Sequence, residues 1–345
     1  MGRHRSRVGP LSLARHTSMT TARRLPGSHL ALGPGAEFDR IRNIFAVLGP
    51  QAGGLGDDCG LVEQEDGFLA LSTDVSVEGV HFRPEWITFE EIGWRATAAA
   101  LSDLAAEAAE PIGVLCAVTM PRTSPESQLL EIMAGVRNAA GAVEAQVLGG
   151  DLSSGPVWSI AVTVLGRARH PITRKGAEAG DGLWVTGTLG GARTALHAWL
   201  NGREPPAGAR TRFAHPQPRI AEGRWLAKHG ATALIDLSDG IAGDARHLAA
   251  ASHVALKIDL DSLPLAQEVR HEALTLGVPD AQFAAEGGED YELLVSLPES
   301  FAAADAFARE CGIPLTRIGE AAPGSGVEFV SAGQPIELRG FNHFG

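Results

Sequence analysis

The chain has 345 residues, 44% hydrophobic and 20% charged, with a formal net charge of −12. That length fits two medium domains better than one small one, and the acidic balance excludes sequence-independent nucleic-acid binding, which needs a basic stripe to neutralise phosphates. Cys59, Cys116 and Cys311 are widely spaced and form no C-x-x-C pair, so neither a disulfide framework nor a zinc site is expected, and a cytoplasmic setting suits them.

Residues 1–35 contain six arginines, no lysine and no acid, which leaves 23 basic against 41 acidic residues in the body. Residues 1–36 read as a disordered arginine-rich extension or as sequence upstream of a start at Met19. In composition they also resemble an organelle transit peptide, but they lack the apolar core of a secretory signal. No run approaches the ~18 apolar residues of a membrane span, so no membrane partner is expected. The fold should begin near Glu37.

"FLALSTDVSV" (68–77) then predicts a strand. Thr88 and Glu91 spell a capping box opening a helix to about Glu110, where Pro111 stops it. "IGVLCAVTM" is the next strand. Ser124-Pro125-Glu126 starts a helix that Gly141 closes, and "VWSIAVTVLG" (157–166) is a further strand. The loose basic stretch from Arg167 to Gly180 divides an N-terminal domain, 37–166, from a C-terminal α/β domain, 167–345.

In the second domain "GLWVTGT" predicts a strand, 189–200 a helix, 201–218 a Pro/Gly loop, "ALIDL" a strand, 240–252 a helix and "VALKIDL" a strand. "YELLVSL", a helix over 299–310 and "LTRIGEA" complete the series. The fold class is therefore α/β (α+β) in two domains.

Acids recur beside glycines or small hydroxyl residues at the ends of these strands: "GDDCG" (56–60), "STD" (72–74), "GGD" (149–151), "DLSDG" (236–240) and "GGEDYE" (287–292), with Asp103 in "ALSDLAA". Short, stiff aspartates can converge on a hard cation, and glycines let a polyphosphate approach the backbone. Singly, each fragment reads more simply as a turn, an N-cap or a solvated helix position. Six in one chain point to a shared metal site. No P-loop or protein-kinase motif is present, and only Lys175, Lys228 and Lys257 supply ammonium groups. Phosphate handling would therefore depend on carboxylate-held Mg²⁺.

The segments "GLGDDCGLV", "LSTDVSVEGVHF", "ALSDLAAEAAEP", "LGGDLSSGP", "TRKGAEAGDGLWVTGTLGGA", "IDLSDGIAGDARHL", "GGEDYELLVSLP" and "GFNHF" resemble, in that order, the thiamine-monophosphate kinase family. That family belongs to the superfamily of aminoimidazole ribonucleotide synthetase. The resemblance covers about residues 37–344. It implies ATP-dependent conversion of thiamine monophosphate to thiamine diphosphate with several Mg²⁺ ions per site. It also implies a homodimer whose N-terminal strands form a barrel-like core.

Matched position by position, the resemblance assigns Asp57, Ser72, Thr73, Asp74, Asp103, Asp151, Asp236 and Asp239 to the metal. It assigns Gly150, Asp151, Arg174 and Ser238 to ATP, and His81, Glu289 and Phe341 to the thiamine substrate. Asp58 receives a supporting role. On residue type alone His81 reads as a buried histidine bonded to backbone, Arg174 as a surface cation and Phe341 as a terminal core plug. The family often has an acid where this chain has Asn342. No general base is assigned, because a substrate phosphate is already nucleophilic.

Two other readings compete: another enzyme of the superfamily, whether aminoimidazole ribonucleotide synthetase, selenide water dikinase or the hydrogenase-maturation relative, and a non-catalytic sensor. Selenide chemistry wants a reactive Cys near the first strand, and Cys59 is not placed for it; a hydrogenase-maturation relative should end in cysteine, whereas this chain ends "FNHFG". A non-catalytic Ca²⁺ or nucleotide sensor lacks its EF-hand loop.

Overall fold

The computed structural model describes residues 23–24 and 28–340. The first unit contains β1 (Arg23–Arg24), α1 (Ala36–Leu48), β2 (Gly60–Gln64), β3 (Gly67–Val77), α2 (Phe89–Ala106), β4 (Glu110–Met120), α3 (Glu126–Ala142), β5 (Gln146–Ser154) and β6 (Ser159–Ala168). Its strands form one six-stranded sheet in the order β1-β2-β3-β6-β4-β5. Only β4 and β5 run parallel.

The second unit contains β7 (Gly182–Thr186), α4 (Gly191–Leu200), α5 (Ala207–Ala214), α6 (Ile220–Lys228), β8 (Ala233–Asp236), α7 (Ile241–Ser252), β9 (Ala255–Asp259), α8 (Val269–Leu276), α9 (Asp280–Ala285), β10 (Leu293–Leu297), α10 (Ala304–Cys311), β11 (Leu315–Ala322), β12 (Gly326–Ser331) and β13 (Gln334–Ile336). Here a mixed seven-stranded sheet runs β13-β12-β9-β11-β7-β10-β8. The architecture is a mixed α/β fold built on two sheets.

Helix α2 joins the two units. Its capping box forms as the sequence predicts: the Thr88 hydroxyl accepts the Glu91 N–H at 3.2 Å, and the Glu91 carboxylate accepts the Thr88 N–H at 2.7 Å. From there the alanine-rich run is buried almost all round. Glycines at both crossings allow this. A Cβ on Gly93 would sit 2.0 Å from the Ile132 carbonyl oxygen of α3, and one on Gly223 of α6 would sit 2.1 Å from that of Ala105. One apolar core therefore runs from α2 and its sheet through α6 to β8 and β10, while a second lies under α7, α8 and α9.

Several element boundaries differ from the sequence expectation, among them the helix expected over 299–310, which is α10 beginning at Ala304. Helix α2 ends at Ala106, not Glu110, because Ala108 turns left-handed at φ 52°, and Pro111 lies inside β4. The 201–218 loop contains α5, which Pro206 caps rather than breaks. "LGGDLSS" forms the edge strand β5. No closed barrel is present among the described residues, and no described helix is long and apolar enough to cross a membrane.

Candidate metal and phosphate site

The acids converge where the two sheets meet at the C-terminal half of α2. Asp58 follows the glycine-rich turn before β2, Asp103 lies in the last turns of α2, and Asp236 ends the fully buried strand β8. One carboxylate oxygen from each lies within 4.8 Å of the other two. Strand β3 presents Ser72 and Asp74 to this cluster, and the Ser72 hydroxyl bonds Asp103.

The electrostatics are those of crowded, buried acids. Burial raises Asp103 well above the usual carboxylate range, and the charges of Asp74, Asp236 and Asp58 add to it. Asp236 rises in the same way through burial and then Asp58, as does Asp74. Asp57 is pushed up to about 7, first by burial and then by Asp58, with Arg174 opposing.

Arg174 supplies the balancing charge. It grips Asp58 in a fork, Nη2 to Oδ1 at 2.5 Å and Nε to Oδ2 at 3.2 Å, and its backbone N–H donates to Asp57 at 3.1 Å. Burial alone would lower its pKa, but Asp58 and Asp57 outweigh that and hold the guanidinium more firmly charged. Ser252 of α7 fixes this segment by donating to the Arg174 carbonyl at 2.8 Å and accepting the N–H groups of Gly176 and Ala177.

Across the cluster, the β8–α7 turn carries Ser238 and Asp239. Its tightness requires Gly240, at φ 89°, where a Cβ would meet the Gly287 carbonyl oxygen at 2.4 Å. The Asp239 N–H donates to Asp244 at 3.1 Å. The Ser238 carbonyl accepts the N–H of Glu289 at 2.7 Å, which brings the "GGEDYE" segment to the same edge.

Within that segment the three acids have separate tasks. Glu292 is fully buried and held by Arg219, Arg212 and the Thr186 hydroxyl; Asp290 accepts the Gly190 N–H at 2.8 Å. Both are committed to structure. Glu289, at φ 69°, remains partly exposed with an ion pair to Arg95.

His81 follows β3 and accepts the Val77 N–H at 3.1 Å through Nδ1. That is the backbone bond its simplest reading anticipates, and it fixes the ring beside the strand exit.

Thr73, Gly150 and Asp151 are not brought to the acid cluster within the single chain. Thr73 lies within strand β3 rather than in a loop, and its hydroxyl pairs with Thr163 at 2.8 Å on the face opposite Ser72 and Asp74, because strand side chains alternate. Gly150 and Asp151 sit on the exposed edge strand β5, with β6 and β4 between them and β3. At about 4.8 Å per strand they stand roughly 14 Å from the Asp74 backbone. Register places Asp151 in a row with Ala117, Ala161 and Val75, away from the acid cluster. Gly150 itself answers a packing need, since a Cβ there would lie 1.8 Å from the Cys116 carbonyl oxygen. Phe341 lies outside the described residues.

Asp58, given a supporting role on sequence, lies in the converging group itself, and Asp244 and Glu107, not singled out on sequence, lie beside it. Glu107 is fully buried behind Asp57 and Asp58; burial and then those two charges raise its pKa. Only the spacing of Asp244, one turn into α7 from "DLSDG", signalled its place.

The donor set suits a hard divalent cation. All the converging ligands are oxygens, and burial makes their charge costly until a cation offsets it. Softer metals would favour thiolate or imidazole, and the nearby thiol, Cys59, has its pKa raised by burial and by the surrounding acids.

Comparison with known proteins identifies the family. The AIR synthase related protein N-terminal domain family matches residues 56–168, and its C-terminal domain family matches 178–331. Thiamine-monophosphate kinase of Salmonella typhimurium is 35% identical over 322 residues, covering 89% of this chain and 95% of that protein. The Escherichia coli K12 enzyme of the same name is 36% identical over 326 residues, with the same coverage. A solved structure of "AaThiL complexed with AMPPCP and TMP" superposes with a TM-score of 0.81 at 32% identity, covering 90% of this chain and 97% of that one. The E. coli hydrogenase maturation protein HypE, at 22% identity and a TM-score of 0.64, shares the fold.

Proposed function

The chain belongs to the thiamine-monophosphate kinase family of AIR synthase related proteins, and from that membership we infer that it transfers a phosphoryl group from ATP to thiamine monophosphate, giving ADP and thiamine diphosphate. The observation that carries the reading is the convergence of Asp58, Asp103 and Asp236 beside Arg174 in a chain without any lysine-based phosphate cradle.

In this reading Asp58, Asp103, Asp236 and Asp74 hold Mg²⁺, with Asp57, Ser72 and Asp239 at its margin. Mg²⁺ held there would supply the positive charge that offsets phosphate charge during transfer. Arg174 grips and orients Asp58, and Ser238 lies beside the nucleotide. Glu289, braced by Arg95, faces the cationic thiamine moiety together with His81, and Phe341, outside the described residues, is assigned to the same substrate. The attacking group is the acceptor's own phosphate oxygen, so these residues align it in line with the γ-phosphorus and no protein base is required.

Substrate dependence tests the reading. ADP should form steadily only when thiamine monophosphate is present, and free thiamine, which lacks the attacking phosphate oxygen, should be a poor acceptor. Turnover with formylglycinamidine ribonucleotide and none with thiamine monophosphate would transfer the assignment to the synthetase.

The same reading makes the enzyme a dimer. Leu71, Val75 and Leu115 are exposed on one face of the six-stranded sheet in the single chain, and the edge strand β5 is exposed along its whole length. An apolar sheet face and an open edge need a cover, and a second copy supplies one about a two-fold axis. Light scattering should return twice the chain mass; a monomer active at assay concentration would contradict this.

A further inference from the structure

Residues 29–38 cross from the acid loop to helix α7. At one end the Leu30 N–H donates to the Leu55 carbonyl at 2.8 Å, and Leu30 covers Gly56, where a Cβ would lie 3.3 Å from its atoms. Asp57 and Asp58 come next in the chain. At the other end the Gly33 N–H donates to His247 Nδ1 at 3.1 Å, and the Phe38 ring lies on the His247 imidazole at a centroid distance of 3.7 Å. Arg42 ties the middle down by donating to the Leu32 and Gly33 carbonyls at 3.4 and 3.0 Å. Helix α7 carries Asp244, the acceptor of the Asp239 N–H, one turn before His247. The crossing segment therefore connects the two sides of the acid cluster.

We propose that His247 is a positioning residue for the Mg²⁺ site, acting through the strap of residues 29–38 that it holds between helix α7 and the acid loop at Gly54–Asp58. The inference rests on the kinase reading of that cluster. His247 touches no reacting atom; it fixes how far Asp57 and Asp58 stand from Asp236 and Asp239. The residue type suits the task. An amide N–H can only donate, so Nδ1 carries the lone pair and the proton is on Nε2. Burial, together with Arg174, Arg246 and Arg42, depresses its pKa to about 3, which keeps that acceptor available at any working pH. The flat ring at the same time supplies the surface on which Phe38 rests.

The test uses the full chain and MgCl2 alone, reading Mg²⁺ uptake by calorimetry and by the rise in melting temperature, then the Mg²⁺ midpoint of turnover. His247→Leu should raise the Mg²⁺ midpoint roughly ten-fold, the usual effect of removing a group that orients ligands, while kcat at saturating Mg²⁺ changes little. His247→Asn, whose amide oxygen can take the place of Nδ1, should recover most of the loss. Gly33→Val leaves α7 intact but places a Cβ 3.0 Å from Arg246 backbone and His247 Nδ1, and it should shift the midpoint in the same direction. Wild-type Mg²⁺ uptake in both His247→Leu and Gly33→Val would overturn the proposal, as would a lower melting temperature in His247→Leu with no shift in midpoint, or His247→Asn behaving as His247→Leu. A wild-type protein that takes up no Mg²⁺ would instead remove the metal reading on which it stands.

Discussion

Asp103→Asn is expected to cut turnover by roughly a hundred-fold or more, as befits loss of a central carboxylate from a metal cluster, while raising the melting temperature of the metal-free protein at neutral pH. Asp103 is buried among Asp74, Asp236 and Asp58, so an uncharged isostere removes repulsion in the absence of a cation. Carboxyl groups whose folded pKa lies above 3.8 bind more protons folded than unfolded, so stability falls as pH rises through that interval. For Asp57 the interval runs from 3.8 to about 7, and Asp74, Asp103 and Asp236 shift in the same direction. Glu91 behaves oppositely: burial would raise it, but Arg210 and the Thr88 N–H prevail and hold it at about 2. Its contribution is complete by about pH 5, below most of the cluster's window. Melting curves in EDTA should therefore fall from pH 5 to pH 8, less steeply in Asp103→Asn, and Mg²⁺ should flatten both. Full activity in Asp103→Asn would take this residue out of the site, and a metal-free melting temperature that climbs across the window would contradict the repelling cluster.

Local chemistry made much of this arrangement readable from the chain. Thr88 and Glu91 announce α2 because capping boxes are short-range and need no tertiary partner. The strand carrying Ser72 and Asp74 is legible from its β-branched and apolar alternation. The remainder depends on long-range packing. Nothing in "AAEAAEP" marks the left-handed turn at Ala108, since alanine carries no stop signal. Thr73 shares the "STD" triplet with Ser72 and Asp74, but strand alternation turns its hydroxyl to the opposite face. Asp151 illustrates the same limit: strand order, which no local pattern encodes, leaves it on the far edge of the sheet. The pair Asp57 and Asp58 shows the limit again. In "GDD" both acids look alike, and only the position of Arg174, 116 residues away in sequence, separates their roles.

Arg174→Met should produce the second large effect, on stability as much as on catalysis. The Arg174 side chain is 15% exposed and those of Asp57 and Asp58 are 5% and 1% exposed. Taking away one partner of such a buried pair typically costs about 3–5 kcal/mol, because the carboxylates are left uncompensated. Proton uptake offers Asp57 an escape. Burial and Asp58 already push it up to about 7 against the pull of Arg174, and without the guanidinium it moves further upward, so it is neutral at pH 5 and forced toward charge at pH 8. The destabilisation should therefore be much larger at pH 8, and Mg²⁺ should recover part of it by replacing the lost positive charge. Arg174→Lys should not restore the wild type, since an ammonium cannot make the two-pronged contact to Asp58. Denaturant unfolding of the three proteins at both pH values, with EDTA and with Mg²⁺, resolves these terms. An Arg174→Met protein as stable as wild type at pH 8 in EDTA would show that Asp57 and Asp58 do not depend on this residue, and the arginine would then belong to the nucleotide alone.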